Sequence, residues 1–356
     1  MYAVIMAGGR GTRFWPRSRD RKPKHLLDIL SERTIIQETV DRLLPMVPPE
    51  RILVVTGRAH AAELARQLPD IPARNILIEP MGRNTAPCIG LAAHAVHRLD
   101  PGAVMAVLPA DHLIIDEARF LEVLRAAAEA AAPGRHLVTI GIAPTAPETG
   151  YGYLELGEET GTAGMETVRR VRSVREKPDQ ETAKAFLAGG NYVWNSGMFV
   201  WTAGAVLEAI GRWLPDLAKG LETIDSALGT ERENTVLDNV YPGLPSISID
   251  YGVMEKADNV LALRGDFGWS DVGSWDALWE VSPKDDSGNV LRGSVAAAAT
   301  KNSLVVARDR LVALAGVEDL IVVDTEDALL VCRRGDSQRV REVVELLEKK
   351  GLREYL

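Results

Sequence analysis

Cysteine is scarce: Cys88 and Cys332 are the only two in 356 residues. Their contexts are unrelated, so they form neither a metal-ligand spacing nor a disulfide framework, which suits a reducing compartment. No apolar run approaches the roughly 20 residues that span a bilayer. The opening YAVIMA is too short for a signal-peptide core, and Arg10 and Arg13 follow at once. A cytoplasmic protein with no membrane partner is expected. Positive charge is also in deficit, with 41 Lys and Arg against 50 Asp and Glu and a formal net charge of −9. That balance argues against nucleic acid as a partner. No Gly-Lys pair occurs, which excludes a Walker A phosphate loop. Low-complexity segments are missing as well.

What is present alternates. Apolar, β-branched runs at 2–6, 51–57, 73–80, 103–112 and 136–143 each stop at Gly, Pro or Asp, and read as strands. Between them, 34–44 places Ile35, Val40, Leu43 and Leu44 near helical spacing. Asp116 caps a second helix with Phe120, Leu121, Leu124 and Ala128 on one face. After residue 145 strands and turns mix, helices are expected near 203–240, and a strand, loop and helix follow over 258–280. This pattern predicts an α/β fold: a Rossmann-like mixed, mostly parallel sheet flanked by helices. In such sheets ligands bind beyond the carboxyl ends of strands. The polar segment SPKDDSGNV (282–290) marks a boundary. Short apolar runs beyond it predict a small C-terminal β-rich, β-helix-like domain. It ends in a helix over 336–350 with Val340, Val343, Val344 and Leu347 on one stripe. The expected domains are 1–282 and 288–356.

Against the acidic background one stretch stands out. Arg10, Arg13, Arg17, Arg19, Arg21, Lys22 and Lys24 are opposed only by Asp20, leaving a local charge of +6. A small polyanion suits so focused a patch. The glycines of GGRGTR allow backbone N–H groups to approach an anion. The dinucleotide fingerprint fails here, because its third glycine would be Phe14. What remains is G-G-x-G-x-R, then Lys24 eleven residues after Arg13, with Pro23 fixing the direction of approach.

Eight stretches in order carry a resemblance: MAGGRGTRFWPRSR…KPKHLL, EPMGRNTAPCIGLAA, LPADH, GYGY, REKPD, YVWNSGMF, SIDYGVMEK and WSDVGSWDAL. The chain resembles the sugar-1-phosphate nucleotidylyltransferases, and within them the bacterial mannose-1-phosphate guanylyltransferases. Phe14 and His25 depart from the leucine and glutamine often found in that family. The resemblance implies that GTP and mannose 1-phosphate give GDP-mannose and diphosphate by in-line attack of the sugar phosphate on the α-phosphorus. No protein nucleophile is needed, since the attacking phosphate is already ionised. It further implies Arg13, Lys24, Asp111 and Asp271 as catalytic residues, and Mg²⁺ held by Asp111 and Asp271. Nucleotide contacts would come from Ala7, Gly8, Gly9, Gly11, Thr12, Arg13 and Lys24, and from Glu79, Arg83, Asn84, Thr85, Ala110 and Asp111. Gly150, Tyr151, Gly152, Glu176, Lys177, Asn195 and Gly197 would meet the sugar.

Plainer readings stand beside these. Asp111 can be a helix or turn cap, Asp271 an Asx turn, Glu79 an exposed strand end, and Tyr151 a core residue. Trp194, Phe199 and Trp201 read as core, Cys88 as inert, His112 as a loop donor, and His94 and His97 as surface or packing residues. The alternatives for function are the same chemistry on another sugar phosphate or nucleotide, a catalytically silent regulatory subunit, and, less favoured, a dinucleotide-dependent oxidoreductase. The C-terminal apolar runs favour a homodimer. No fused isomerase activity is expected, since about 70 residues beyond the boundary fall short of a typical domain of roughly 100–150.

Overall fold

The structure, a computed structural model, describes residues 1–9 and 11–356. Arg10, counted in the basic stretch, lies outside the described residues. The chain forms two compact units: Met1–Gly8, Val40–Ala110 and Ile114–Trp269 in the first, and Gly9–Thr39, Asp111–Leu113 and Ser270–Leu356 in the second. Among the described residues no helix is long and apolar enough to cross a membrane.

Strands β1 (Tyr2–Ala7), β2 (Ile52–Gly57), β3 (Ile76–Glu79) and β4 (Val104–Pro109) come first, then the two-residue β5 (Leu113–Ile114). They are followed by β6 (Leu137–Ile142), β7 (Gly152–Ala163), β8 (Glu166–Arg175), β9 (Tyr192–Thr202) and β10 (Val260–Gly265). Nine of these make the sheet of the first unit, in the order β3-β2-β1-β4-β9-β6-β10-β8-β7. The early strands pair in parallel, β1 with both β2 and β4. Strand β9 runs antiparallel to β4 and β6, so the sheet is mixed. Their near-continuous Val, Ile and Leu content follows from burial on both faces.

Helix α1 (Ile35–Leu43) is the one expected over 34–44; Ile35, Val40 and Leu43 are buried, while Leu44 is exposed just past the helix end. Helix α2 (Ala61–Gln67) went unread, being too short for a clear period. The long α3 (Thr85–Leu99) is apolar over most of its surface, and Ala86, Cys88, Ile89, Ala92, Ala93 and Val96 all enter the core. In α4 (Glu117–Ala131), Asp116 accepts a hydrogen bond from the Arg119 amide at 2.9 Å, as capping requires. Its buried stripe is Phe120, Val123, Leu124, Ala127 and Ala131, so Leu121 and Ala128 sit at its margin. Helices α5 (Gln180–Gly189), α6 (Ala203–Trp213), α7 (Pro215–Asp225) and α8 (Glu233–Val240) complete this unit.

The second unit joins the glycine-rich stretch to the C-terminal region through one apolar core. Phe14, Trp15, Leu27 and Ile29 pack with Trp275, Leu278, Leu304, Ile321 and Val340. After the short β11 (Trp269–Ser270) and α9 (Trp275–Val281) come β12 (Val290–Arg292), β13 (Val295–Ala298), β14 (Leu304–Val306), β15 (Val312–Ala315), β16 (Leu320–Asp324) and β17 (Leu329–Arg333). Val290, Leu304 and Ile321 stack in register through parallel ladders, and β13 pairs in parallel with β15. This is a coil of short parallel strands closed by the antiparallel β17. Gly293 (φ 82°) turns one corner so tightly that a Cβ would lie 1.9 Å from the Ala307 carbonyl oxygen. Helix α10 (Val340–Lys349) ends the unit; it buries Val340 and Val344 and half-buries Val343 and Leu347.

Candidate active site

In the second unit the glycine-rich loop folds back on Lys24. Gly11 is left-handed (φ 59°), and a Cβ there would fall 2.6 Å from the Lys24 Cβ and 2.9 Å from its backbone nitrogen. Only glycine allows that approach. Thr12–Phe14 forms a single 3-10 turn, and Pro23 (φ −66°) leads into another at Lys24–Leu26. The buried Lys24 ammonium then meets three oxygens: the Asp111 carbonyl at 2.8 Å, Asp111 Oδ2 at 2.9 Å and the Asp271 carbonyl at 2.6 Å. An ammonium has three protons to donate, so this set matches its capacity.

Burial would push the Asp111 carboxyl up, but the Lys24 charge, His112, the Lys24 hydrogen bond and His25 overcome it and bring it down to about 2. Asp271 accepts from the Gly273 amide at 3.0 Å, the Asx turn named as its plainer reading. Arg13 Nη1 donates to the Gly273 carbonyl at 3.1 Å. A Cβ on Gly273 would meet Asp271 Oδ2 at 2.8 Å and Arg13 Nη1 at 3.1 Å, so this glycine spaces the two charged groups. Between them Val272 holds φ 42°, an outlier for a β-branched residue and a form of strain that gathers at functional sites. Arg13, Lys24, Asp111 and Asp271 are thus brought together.

In the first unit, Ala7 ends β1 and Ala110 donates its amide to the Met6 carbonyl at 3.1 Å. Glu79 is no exposed strand end: it is buried, and the Tyr241 hydroxyl donates to its Oε1. Burial raises the Glu79 carboxyl against that bond, and burial with the Glu79 charge raises the Tyr241 phenol. Arg83 Nη2 donates to the Pro242 carbonyl. Asn84 (φ 68°) accepts from the Thr85 amide at 2.9 Å, and Thr85 Oγ1 accepts from the Ile249 amide at 2.9 Å. These last two side chains secure the start of α3.

A second cluster in this unit gathers residues assigned to the sugar; Gly150, beside Tyr151, has open space among the described residues where a Cβ would stand. A Cβ on Gly152 would strike Glu176 Oε2 at 2.3 Å. Lys177 (φ 45°) turns its ammonium to Glu176 Oε1 at 3.0 Å. Asn195 Nδ2 donates to Asp250 Oδ1 at 2.7 Å, and its Oδ1 accepts from the Gly197 amide at 3.2 Å, so both ends of the amide are oriented. Tyr151 lies edge-on to Trp194 and Trp269, with centroids 5.1 and 5.4 Å away. Trp194, Phe199 and Trp201 are core, as read.

Sequence reasoning missed two carboxylates here. Asp250 opens a π-helical turn, Asp250–Met254, and Glu255 Oε1 accepts from the Glu176 amide at 3.4 Å. Burial and then the Glu176 charge push Asp250 up to about 6, against its bond from Asn195. The signal was SIDYGVMEK itself, noted as a motif but given no chemical role. Elsewhere, burial pushes the Cys88 thiol well up, consistent with an inert residue, and His94 lies 3.6 Å from Asp225.

A nucleotidyl transferase family model matches residues 2–288. The chain belongs to the nucleotidyl transferase family. A second model, described as a MannoseP isomerase/GMP-like beta-helix domain, matches residues 293–347, where the short parallel strands coil. This family member is 42% identical to a mannose-1-phosphate guanylyltransferase of Klebsiella pneumoniae, over 99% of this chain and 75% of that protein. It is also 42% identical to the mannose-1-phosphate guanylyltransferase of Escherichia coli K12, over 100% of this chain and 75% of that one. A crystal structure from Thermus thermophilus, described as a mannose-1-phosphate geranyltransferase, is 40% identical with a TM-score of 0.87, covering 98% of this chain and 99% of its own.

Proposed function

We propose that the chain is a mannose-1-phosphate guanylyltransferase, converting GTP and α-D-mannose 1-phosphate to GDP-mannose and diphosphate. The observation that carries this reading is the Lys24 ammonium, bonded to both Asp111 and Asp271, with Arg13 joined through Gly273. The names of relatives at 42% identity support the choice of substrates. An oxygen of the hexose phosphate forms the new bond to the α-phosphorus. The bond from that phosphorus to the β-bridging oxygen breaks, and diphosphate leaves with the electron pair. The difficulty is bringing two polyanions together, which fixed positive charge and positioning relieve. Gly9, Gly11 and Thr12 line the phosphates with backbone N–H groups. Arg13 faces the departing β- and γ-phosphates, and Lys24 the α-phosphate and incoming phosphate, where a point charge serves better than a planar fork.

The residues fit a hard divalent cation. Asp111 remains ionised down to about pH 2 and Asp271 offers a second carboxylate, both oxygen donors. Among the described residues no group of three or more His, Cys, Asp or Glu is poised to hold a metal. Two carboxylates with the remaining ligands from phosphate and water is the usual arrangement for Mg²⁺. When bound, Mg²⁺ would neutralise phosphate charge as a Lewis acid.

Ala7, Gly8, Ala110 and the segment Glu79, Arg83, Asn84 and Thr85 are assigned to the nucleotide, with Glu79 acting from its place against Tyr241. Gly150, Tyr151, Gly152, Glu176, Lys177, Asn195 and Gly197 are assigned to the sugar phosphate. A cytoplasmic location and a homodimer belong to the same reading. Exposed Leu329 and Val331 on β17, with Leu311 just before β15, support the dimer, which sedimentation tests. The activity is tested by diphosphate release across a panel of sugar 1-phosphates and nucleoside triphosphates. GTP with mannose 1-phosphate should give the highest kcat/KM; a faster pair would reassign the substrates.

A further inference from the structure

We infer that Asp327, in the turn between β16 and β17, is a positioning residue that acts through Arg19 to hold the loop bearing Arg13 and Lys24; the inference rests on the transferase reading above. Arg19 has every guanidinium nitrogen engaged. Its Nε donates to the Pro16 carbonyl at 2.7 Å, within the loop. Nη1 and Nη2 donate to Asp327 Oδ2 and Oδ1 at 3.0 and 2.7 Å. A bidentate pair of this kind fixes the guanidinium plane as well as its position. The backbone of Arg19 closes the loop's narrow turn, exchanging hydrogen bonds with Lys22 at 3.0 and 2.9 Å.

Asp327 is itself pre-set. Thr325 Oγ1 donates to Asp327 Oδ1 at 3.0 Å, and the same hydroxyl accepts from the Ala328 amide at 3.2 Å. Burial would raise its carboxyl, but the bonds from Arg19 and Thr325 keep it below the ordinary value, so it meets Arg19 as an anion. Two indole hydrogen bonds tie the same loop to other parts of this unit. Trp15 Nε1 donates to the Tyr355 carbonyl at 2.7 Å, and Trp275 Nε1 donates to the Trp15 carbonyl at 3.1 Å. Asp327, Trp275 and the Tyr355 carbonyl therefore hold the loop between its two ends, while Gly11 against Lys24 closes those ends.

A partly exposed ion pair adds little to stability. Its consequence lies in placement, where an error of about 1 Å in a catalytic group can cost about 10²-fold in rate. The test uses the full chain and the variants Asp327→Ala, Asp327→Glu and, as a control for losing an exposed pair, Glu342→Ala, whose carboxylate on α10 meets Arg339 at 3.1 Å. With GTP, mannose 1-phosphate and Mg²⁺, Asp327→Ala should lower kcat about 10- to 100-fold. Its Tm should move by less than about 4 °C, and amide exchange over residues 11–24 should quicken. Asp327→Glu should recover most of the rate, and Glu342→Ala should match wild type. The inference is overturned if Asp327→Ala keeps a rate within about twofold of wild type with unchanged exchange. It is equally overturned if the rate loss comes with a collapse in Tm that Asp327→Glu does not repair. If wild type itself releases no diphosphate, the transferase reading fails, and the exchange comparison alone decides whether Asp327 holds the loop.

Discussion

Asp111 and Asp250 are both carboxylates that burial pushes upward, and they end on opposite sides of the ordinary value. Asp111 is brought down to about 2 because the Lys24 ammonium lies 2.9 Å away, with two histidines adding to the field. Asp250 rises to about 6 because burial and then the Glu176 carboxylate push it up against the bond from Asn195. The first cluster holds fixed ionic charge, which the proposed phosphate transfer would use. The second concentrates hydrogen-bond acceptors, which the proposed sugar site would turn to hydroxyl groups. Desolvation is common to both; the identity of one neighbour decides the outcome.

The sharpest way to break this contrast is Lys24→Ala. It removes the cation from the Asp111 and Asp271 cluster, and on the proposed function kcat should fall about 10²- to 10³-fold. An unchanged rate with a lowered melting point would reassign Lys24 to structure. Asp111→Asn should cost about 10²-fold or more in turnover at saturating Mg²⁺; wild-type turnover would remove its metal role. The third variant sharpens the other side. Asp250 has a folded value of about 6 against an ordinary 3.8, so the folded chain holds its proton more tightly. The stability this group contributes is complete below about pH 4 and is lost as pH rises through about 6. Asp250→Asn does not titrate and still accepts from Asn195. Urea titrations should show the variant gaining on wild type between pH 4 and 6, reaching an advantage of about 3 kcal/mol that stays level above pH 7. A gap that shrinks over that range would invert the assignment. The smallest effect is expected for Tyr241→Phe, which strips Glu79 of its donor and should destabilise by about 1 kcal/mol. No change in denaturation midpoint would mean that the bond adds nothing.

Arg13 and Lys24 stood out because glycine spacing and charge density announce themselves locally, whereas Asp111 and Asp271 were singled out only through the family resemblance. Strand ends were legible for a similar reason: apolar runs stop at Gly, Pro or Asp, and the sheet places those stops where the chain turns. Partners distant in sequence left no such trace. Tyr241 lies 162 positions from Glu79, and Asp327 lies 308 positions from Arg19; neither spacing carries a period. Asp250 escaped because a π-helical turn has no amphipathic signature over five residues. Nor does any composition shift announce that Phe14 and Trp15 share a core with Trp275 and Val340. That grouping follows from packing, which acts after local propensity has been spent.

The most direct test of guanylyl transfer by the Lys24 cluster is a rapid-quench experiment with GTP, Mg²⁺ and mannose 1-phosphate labelled with ¹⁸O in its phosphate oxygens. Mass spectrometry of the nucleotide sugar follows the label in wild type and Lys24→Ala. The expected result is GDP-mannose carrying the label into its bridging oxygen, formed far more slowly by the variant. Labelled product formed equally fast by both, or no GDP-mannose from wild type, would contradict it.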